Sequence, residues 1–267
     1  MKTRHKLITG ISCASLLLAV STTSLAEEWE HRIGTYILGM TIDADTAVNT
    51  PGGTQETKLK LDFDDILDNA EFIGVLFYHG TNGEWTVDVD LTHIELNNND
   101  RFETPIPPPI GPVDATVDVD LTIDEYEFLL GRRFYEGDND RAQVIFGMRY
   151  FRHDIDVEVE VGPGGFAPDI DSDWIDAVIG LRYQADINDQ WSWLARGDVG
   201  GFGWSDSSDS SYKLELGAMY RINERWTTAF GYRYLYIDYE DGSPEDSDYY
   251  AFDGDEQGVL IGITYKI

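Results

Sequence analysis

Cysteine is nearly missing from this chain of 267 residues. Cys13 is the only one, and it lies in the N-terminal segment. Beyond that segment there is no disulfide framework, no thiolate metal site and no cysteine nucleophile. Basic residues are also scarce. The chain has 19 Lys and Arg against 50 Asp and Glu, a net charge of -31. That balance excludes a nucleic-acid partner, because phosphate recognition needs a basic patch. After Ala26 no apolar run is long enough to make a membrane-spanning helix.

What is present at the start reads as a secretory signal. Lys2, Arg4 and Lys6 form a positive region, Leu7 to Val20 an apolar core, and Ser24, Leu25 and Ala26 a small-residue cleavage site. Residues 1–26 are therefore expected to be removed after Ala26, leaving 27–267 as one domain. Cys13 precedes Leu16 to Val20 of the apolar core, which is the wrong order for a lipoprotein signal. The mature chain then lacks any cysteine.

The region Trp191 to Tyr239 carries the fold. Tyr212, Leu214, Leu216, Ala218 and Tyr220 alternate with Lys213, Glu215, Gly217, Met219 and Arg221. After a turn at Ile222 to Arg225, Trp226, Thr228, Phe230, Tyr232, Tyr234 and Tyr236 keep the same spacing. Period two predicts strands with two unlike faces, here joined as a hairpin. The second face holds glycine and arginine. The pattern Gly-x-Arg-aromatic occurs at Gly131–Phe134, Gly147–Tyr150, Gly180–Tyr183 and Gly231–Tyr234. Gly and Arg on one side with large apolar residues on the other suit a barrel whose outside is lipid and whose lumen is polar.

Taken in order, Trp29 opens a strand in which Tyr36, Leu38, Met40 and Ile42 alternate with small residues. Asp43 to Leu61 reads as a long loop, and Phe63–Asn69 as a short acidic helical turn. Strands follow at about 71–80 and 84–96. In the latter Trp85, Val87, Val89 and Leu91 oppose Thr86, Asp88, Asp90 and Thr92. Pro105, Pro107, Pro108, Pro109 and Pro112 hold a loop open. In the strand at about 114–135 the apolar phase shifts from Val117, Val119, Leu121 and Ile123 to Tyr126, Phe128 and Leu130, which predicts a bulge near Asp124–Glu125. Strands at about 141–158 and 172–185 follow, the second turning Ile175, Ala177, Ile179, Leu181 and Tyr183 outward. In the last strand Val259, Ile261, Ile263, Tyr265 and Ile267 share one face.

The predicted fold class is thus all-β: a closed antiparallel transmembrane β-barrel of about ten strands, with eight or twelve as alternatives. Short turns near Asn82, Asp138, Asn188 and Asn223 would face the periplasm, and the longer links the outside. Tryptophan supports that orientation. Trp29, Trp85, Trp191, Trp193 and Trp226 fall at predicted inner strand ends, and Trp174 and Trp204 at outer ends, as two interfacial girdles require. A Gram-negative outer membrane is the expected location.

Three stretches also resemble a known group. Arg196-Gly-Asp-Val-Gly-Gly-Phe-Gly203, Trp226-x4-Gly-Tyr-Arg-Tyr-Leu235 and Asp238-Tyr239 are similar to segments of a largely uncharacterised family of bacterial outer-membrane β-barrel proteins. Phe63–Asn69 and Trp85 with Asp90 fit the same group. The chain departs from it in finishing on Ile267, where members tend to have Phe. The resemblance implies a barrel that meets the barrel-assembly machinery during biogenesis; it implies no reaction.

Candidate functional residues fall in the lumen. Arg149, Arg182, Arg196 and Arg233 are expected to point inward with Asp88, Asp90, Asp176, Asp198 and Glu215. A charge in a narrow interior must be paired or hydrated. One reading is an ion-pair network that fills the barrel; the other is a narrow pore passing small cations by Asp88, Asp90, Asp118 and Asp120. A different class of function is surface interaction (an adhesin or receptor) through the acidic and Pro-rich outer loops. A barrel hydrolase comes third. His93 and His153 are the histidines that approach the outer rim; His153 with Asp154 and Asp156 is the base that can be imagined, and no catalytic motif accompanies it, so no enzyme is expected. Asp169, Asp171 and Asp173 start like a calcium loop, but Trp174 stands where its glycine belongs and Gly180 where its last carboxylate belongs. No metal or cofactor is expected. Lipid and lipopolysaccharide are the expected partners of a monomer.

Overall fold

The period-two pattern closes into a ring. The computed structural model describes residues 29–50, 53–104, 113–161, 164–166, 169–246 and 249–267; the signal segment and the Pro-rich run at 105–112 lie outside them. Twelve strands and one helix follow in chain order: β1 (Glu30–Thr50), β2 (Gly53–Leu61), α1 (Phe63–Asn69), β3 (Ala70–Thr81), β4 (Trp85–Thr104), β5 (Val113–Glu136), β6 (Asp140–Val161), β7 (Gly164–Phe166), β8 (Asp169–Asp186), β9 (Trp191–Gly201), β10 (Ser210–Arg221), β11 (Trp226–Asp241) and β12 (Tyr250–Lys266). Ten of them form an antiparallel ring, each strand beside its neighbour in sequence, closed where β12 pairs with β1. The two additions are β2, folded back on the outer half of β1, and β7 on β6. The fold is a closed ten-stranded transmembrane barrel.

Three of the inner turns share one device. Asn82 Oδ1 accepts the backbone N–H groups of Glu84 and Trp85 at 3.1 and 2.7 Å. Asn188 does the same for Gln190 and Trp191, and Asn223 for Arg225 and Trp226, all at 2.9 Å. An asparagine side chain mimics a backbone turn in this way. Asn-x-x-Trp is therefore one unit that turns the chain and starts the next strand on an outward tryptophan.

Above those turns the outward residues are apolar: Val87, Val89 and Leu91 on β4, Ile175, Ile179 and Leu181 on β8, Leu214 and Leu216 on β10. From Trp85 to His93 this face covers about 26 Å along the tilted strand, about the length of the 9–11 residues with which such a strand crosses a bilayer. Its upper edge is marked by tyrosines, with Tyr126 stacked on Tyr150 and Tyr212 on Tyr234 and Tyr236. Outward residues above them are acidic, among them Asp171, Asp173, Asp238 and Asp253.

Several expectations are corrected at this upper level. The stretch from Asp43 to Leu61 is not a loop: β1 runs to Thr50 and β2 returns along it, Leu59 and Leu61 alternating with Lys58 and Lys60. No bulge interrupts Asp124–Glu125. Pairing of β5 runs unbroken through both, and the register shift lies at Arg133/Tyr135. The strand keeps its phase while its surroundings change. Leu121 and Ile123 are buried inside the barrel, whereas Tyr126 and Phe128 face out. Tyr36, Met40 and Ile42 likewise turn inward, leaving Ile33 and Ile37 on the lipid side. Above the band the polarity of the two faces inverts, because water now lies outside and the lumen there is filled with hydrocarbon.

Candidate functional site

The lumen is organised in three layers. The middle layer is built by Gly-x-Arg strands, whose glycines let neighbouring backbones close up beneath long side chains. A methyl group on Gly180 would lie 2.4 Å from Cβ of Asp198, and one on Gly147 2.0 Å from the Phe128 carbonyl oxygen. Arg149 donates from Nε and Nη2 to Glu127 at 2.9 and 2.7 Å, and from Nη2 to Asp198 at 2.8 Å. Arg196 grips Glu127 with both Nη atoms at 2.7 and 2.8 Å and reaches Asp198 through Nε at 2.8 Å. Arg233 donates to Glu215 at 2.8 Å and to the Tyr36 hydroxyl at 3.0 Å, with Asp90 at 3.4 Å. Lys213 pairs with Glu125 at 2.8 Å. Slightly apart, Asp88 accepts from Arg182 at 2.7 Å and lies 2.6 Å from His79 Nδ1. The side chains of Arg149 and Asp198 have no accessible surface at all. Isolated burial would cost several kcal/mol per ion, so shared carboxylates across β4, β5, β6, β9, β10 and β11 are what make this layer tenable.

Of the residues singled out from sequence, Asp88, Asp90, Arg149, Arg182, Arg196, Asp198, Glu215 and Arg233 are all brought together here. Asp176 points inward but joins none of the arginines. Its carboxylate accepts from the Ser208 backbone N–H at 2.9 Å and from the Ser208 and Ser211 hydroxyls, and so holds the β9–β10 loop over the barrel mouth. Sequence reasoning passed over Glu125, Glu127, Lys213 and Tyr36. Counting parity back from Phe128 would have placed both glutamates inside. Tyr36 sits on a strand whose two faces are both apolar enough to be ambiguous.

The outer layer is aromatic and aliphatic. Trp174 is not an interfacial tryptophan. It is buried in the lumen, stacked at 3.9 Å on Tyr239 and at 5.0 Å on Phe151, because β8 turns its even-numbered residues inward. His153 meets Trp174 and Phe252 edge-on and has its Nδ1 2.7 Å from the Tyr250 hydroxyl. Burial pushes its imidazole down to about 4, with Glu125 opposing. Met40, Ile42, Ile66, Ile94, Leu121, Ile123, Leu235 and Ile237 complete the packing. The other tryptophans do lie outside. Trp29, Trp85, Trp191, Trp193 and Trp226 surround the inner rim half-exposed, and Trp204 protrudes from the β9–β10 loop.

Three candidate chemistries lose their geometry. His153 faces in, while Asp154 faces out against Arg152 at 2.6 Å, so the imagined His–Asp base is not formed. Asp120 faces outward and accepts from Asn97; only Asp88 and Asp90 of the supposed cation path line the lumen, and the Asp118 side chain lies outside the description. Asp171 and Asp173 sit on an extended strand, Asp171 held by Arg152 at 3.0 Å, without the wrap that a calcium loop needs.

The inner layer is open. A cavity of about 1370 Å³ extends inward from the ion pairs to the rim, past Arg32, His79, Gln184, Met219 and Thr264. It exists because Gly217, Gly231, Ala229 and Gly262 leave one wall almost bare. The fold defines a class: a closed barrel of the outer-membrane type. The chain is similar to the outer membrane protease OmpT of Escherichia coli, at 10% identity over 92% of this chain and 99% of that one, with a TM-score of 0.58. It is also similar to the translocator domain of the autotransporter NalP of Neisseria meningitidis, at 12% identity over 89% and 88% of the two chains, with a TM-score of 0.44. At such identities the likeness concerns the fold alone. No protein-family model matches the chain, and no curated protein matches it in sequence.

Proposed function

We propose that this protein is a sealed, structural barrel of the Gram-negative outer membrane, without catalytic activity, rather than a pore. The observation that carries this reading is the solvent-free contact of Arg149 with Asp198 in mid-lumen. An ion path must run through hydrated charges; here the charges are consumed by one another, and a second, apolar layer lies above them. The signal-like segment cut after Ala26 and the apolar band with its aromatic edges support the location, with lipid and lipopolysaccharide as surroundings and a single chain as the unit. Single-channel recording of the refolded mature chain in a planar bilayer under a salt gradient tests it. A folded barrel, verified by a gel shift between unboiled and boiled samples, should be silent. Steady cation-selective steps would sink the proposal.

A second reading, surface interaction, is favoured by one feature. Outward carboxylates stand directly opposite each other, Asp43 across from Asp255 and Asp253 between Asp45 and Asp238. Like charges in such pairs destabilise a sheet, which suits a surface shaped by something other than stability. Deleting residues 105–112 and neutralising Asp238 and Asp253 should reduce adhesion of expressing cells to a host or phage surface; unchanged adhesion removes this reading.

A further inference from the structure

The wall of the barrel has a break. On one side β1 is laddered to β12 without interruption from Arg32 to Val48. On the other it pairs with β3 only from Glu30 to Gly34, and then with β2 from Ile42 to Thr50. Between Thr35 and Thr41 that edge of β1 has no strand beside it. The facing edge of β3, from Ala70 to Leu76, has none either, although its other edge continues on β4. The lower end of the break is closed by a side chain: Thr35 Oγ1 donates to the Val75 carbonyl at 2.7 Å.

The lower part of the break lies at lipid level, and its upper part just above. Leu76 is opposite Leu91 of the lipid-facing band, and Gly74 is opposite His93 at the band's upper edge. Open strand edges are not tolerated against hydrocarbon unless something covers them. What covers this one is α1, a helix of two turns packed against β1 and β4. Its hold is slight. Ile66 is its only buried residue, Leu67 is half-exposed, and Asp64 and Asp65 follow its N-cap Asp62. The Phe63 ring lies about 3.8 Å from where a Cβ of Gly39 would be.

The surfaces on the two sides of the break are alike in chemistry. Outside are Ile37, Phe72 and Leu76, all exposed. Inside are Met40, Ile94 and Ile66 of the apolar layer. Ile73 connects them: its register opposite Ile94 puts it on the lumen face, yet 43% of its surface is accessible, because no β1 residue covers it. Below this level the interior turns polar at Tyr36 and Asp90, where hydrocarbon would be rejected.

We propose that the break between β1 and β3 admits one acyl chain of an outer-leaflet lipid into the place that α1 and its Ile66 side chain now fill at the edge of the packed outer layer, with α1 as its displaceable cover. The occupant is lipid because the opening is continuous with the lipid-facing band and is lined by hydrocarbon on both sides. Its depth is limited by the ion pairs beneath. The inference rests on the membrane orientation proposed above.

The test is photolabelling in vesicles of phosphatidylethanolamine and phosphatidylglycerol that contain a phospholipid with a diazirine in one acyl chain, mapped by mass spectrometry. Three proteins are compared: the native mature chain, Ile66→Ala, and Gly39→Cys with Phe63→Cys joined by a short thiol-reactive linker. The mature chain has no other cysteine, so the linkage is unambiguous. Inward positions Ile73, Met40 and Ile94 should be labelled in the native barrel, several-fold more in Ile66→Ala, and at background once α1 is tied down. Outward Leu214, Leu216 and Ile261 should be labelled equally in all three. Inward labelling that is absent from the native barrel, or indifferent to the linker, overturns the proposal. Loss of the outward labels would instead mean that the transmembrane orientation itself is wrong.

Discussion

The indole of Trp174 lies on the phenol ring of Tyr239 with 3.9 Å between centroids and 11° between planes, inside the barrel and not on its lipid face. This stack, with Phe151 on the other side of the indole, is the centre of the outer seal. Trp174→Ala should cost about 3–5 kcal/mol, the range for removing a large buried aromatic. Near-UV circular dichroism should lose signal while the far-UV β spectrum and the gel shift persist. An unchanged near-UV spectrum would mean that the stack does not order the seal.

Arg149 is fully enclosed. Arg149→Met leaves Glu127 and Asp198 short of a partner and should destabilise the barrel by about 3–5 kcal/mol in urea unfolding. Adding Asp198→Leu should recover part of that loss, because an apolar pair can replace a buried ionic one. If the double variant is worse than the sum of the singles, the layer is not held by the balance of these charges.

His153 predicts a pH dependence. Its ordinary value near 6.5 falls to about 4 in the folded barrel, so the unfolded chain takes up the proton first. Stability is therefore lost as pH falls from about 6.5 to about 4 and shows no further loss from this group below that. The facing groups are Tyr250, Trp174 and Phe252, with Glu125 more distant, so no nearby carboxylate offsets the effect. His153→Phe should flatten the stability profile between pH 7 and 4 relative to the native chain. Parallel profiles for the two proteins would refute the assignment.

Asp176 anchors the β9–β10 loop through three hydrogen bonds to Ser208 and Ser211. Hydrogen bonds to a charged group contribute about 1.5–3 kcal/mol net. Asp176→Ala should release the loop and speed chymotrypsin cleavage after Phe202 or Trp204 by tenfold or more. The rest of the barrel should stay resistant. Equal cleavage rates would show that another contact holds the loop.

Much of this protein could be read from residue order alone. Period-two alternation located the ring strands, short polar stretches near Asn82, Asn188 and Asn223 marked three inner turns, and Gly-x-Arg put Arg149, Arg182 and Arg233 inside. These features are local: they follow from the pleat, from a turn closed by its own side chain, and from the space a glycine leaves two residues from a long neighbour. Which face of an apolar stretch meets lipid was not local. Trp174, Met40 and Ile42 are as hydrophobic as Ile175 and Ile37; the pleat puts the first three on the lumen face, and only their height in the staggered ring makes that face apolar instead of charged. The partners of the inward charges were equally hidden. Arg149 on β6 meets Asp198 on β9, and Arg233 on β11 meets Asp90 on β4, across the lumen between strands that share no ladder. Curvature and closure bring such pairs together, and no spacing along a strand encodes them. Sequence determined the strands and the identity of their charges; tertiary structure decided that those charges neutralise one another across the lumen, because a buried ion must find its counterion in space.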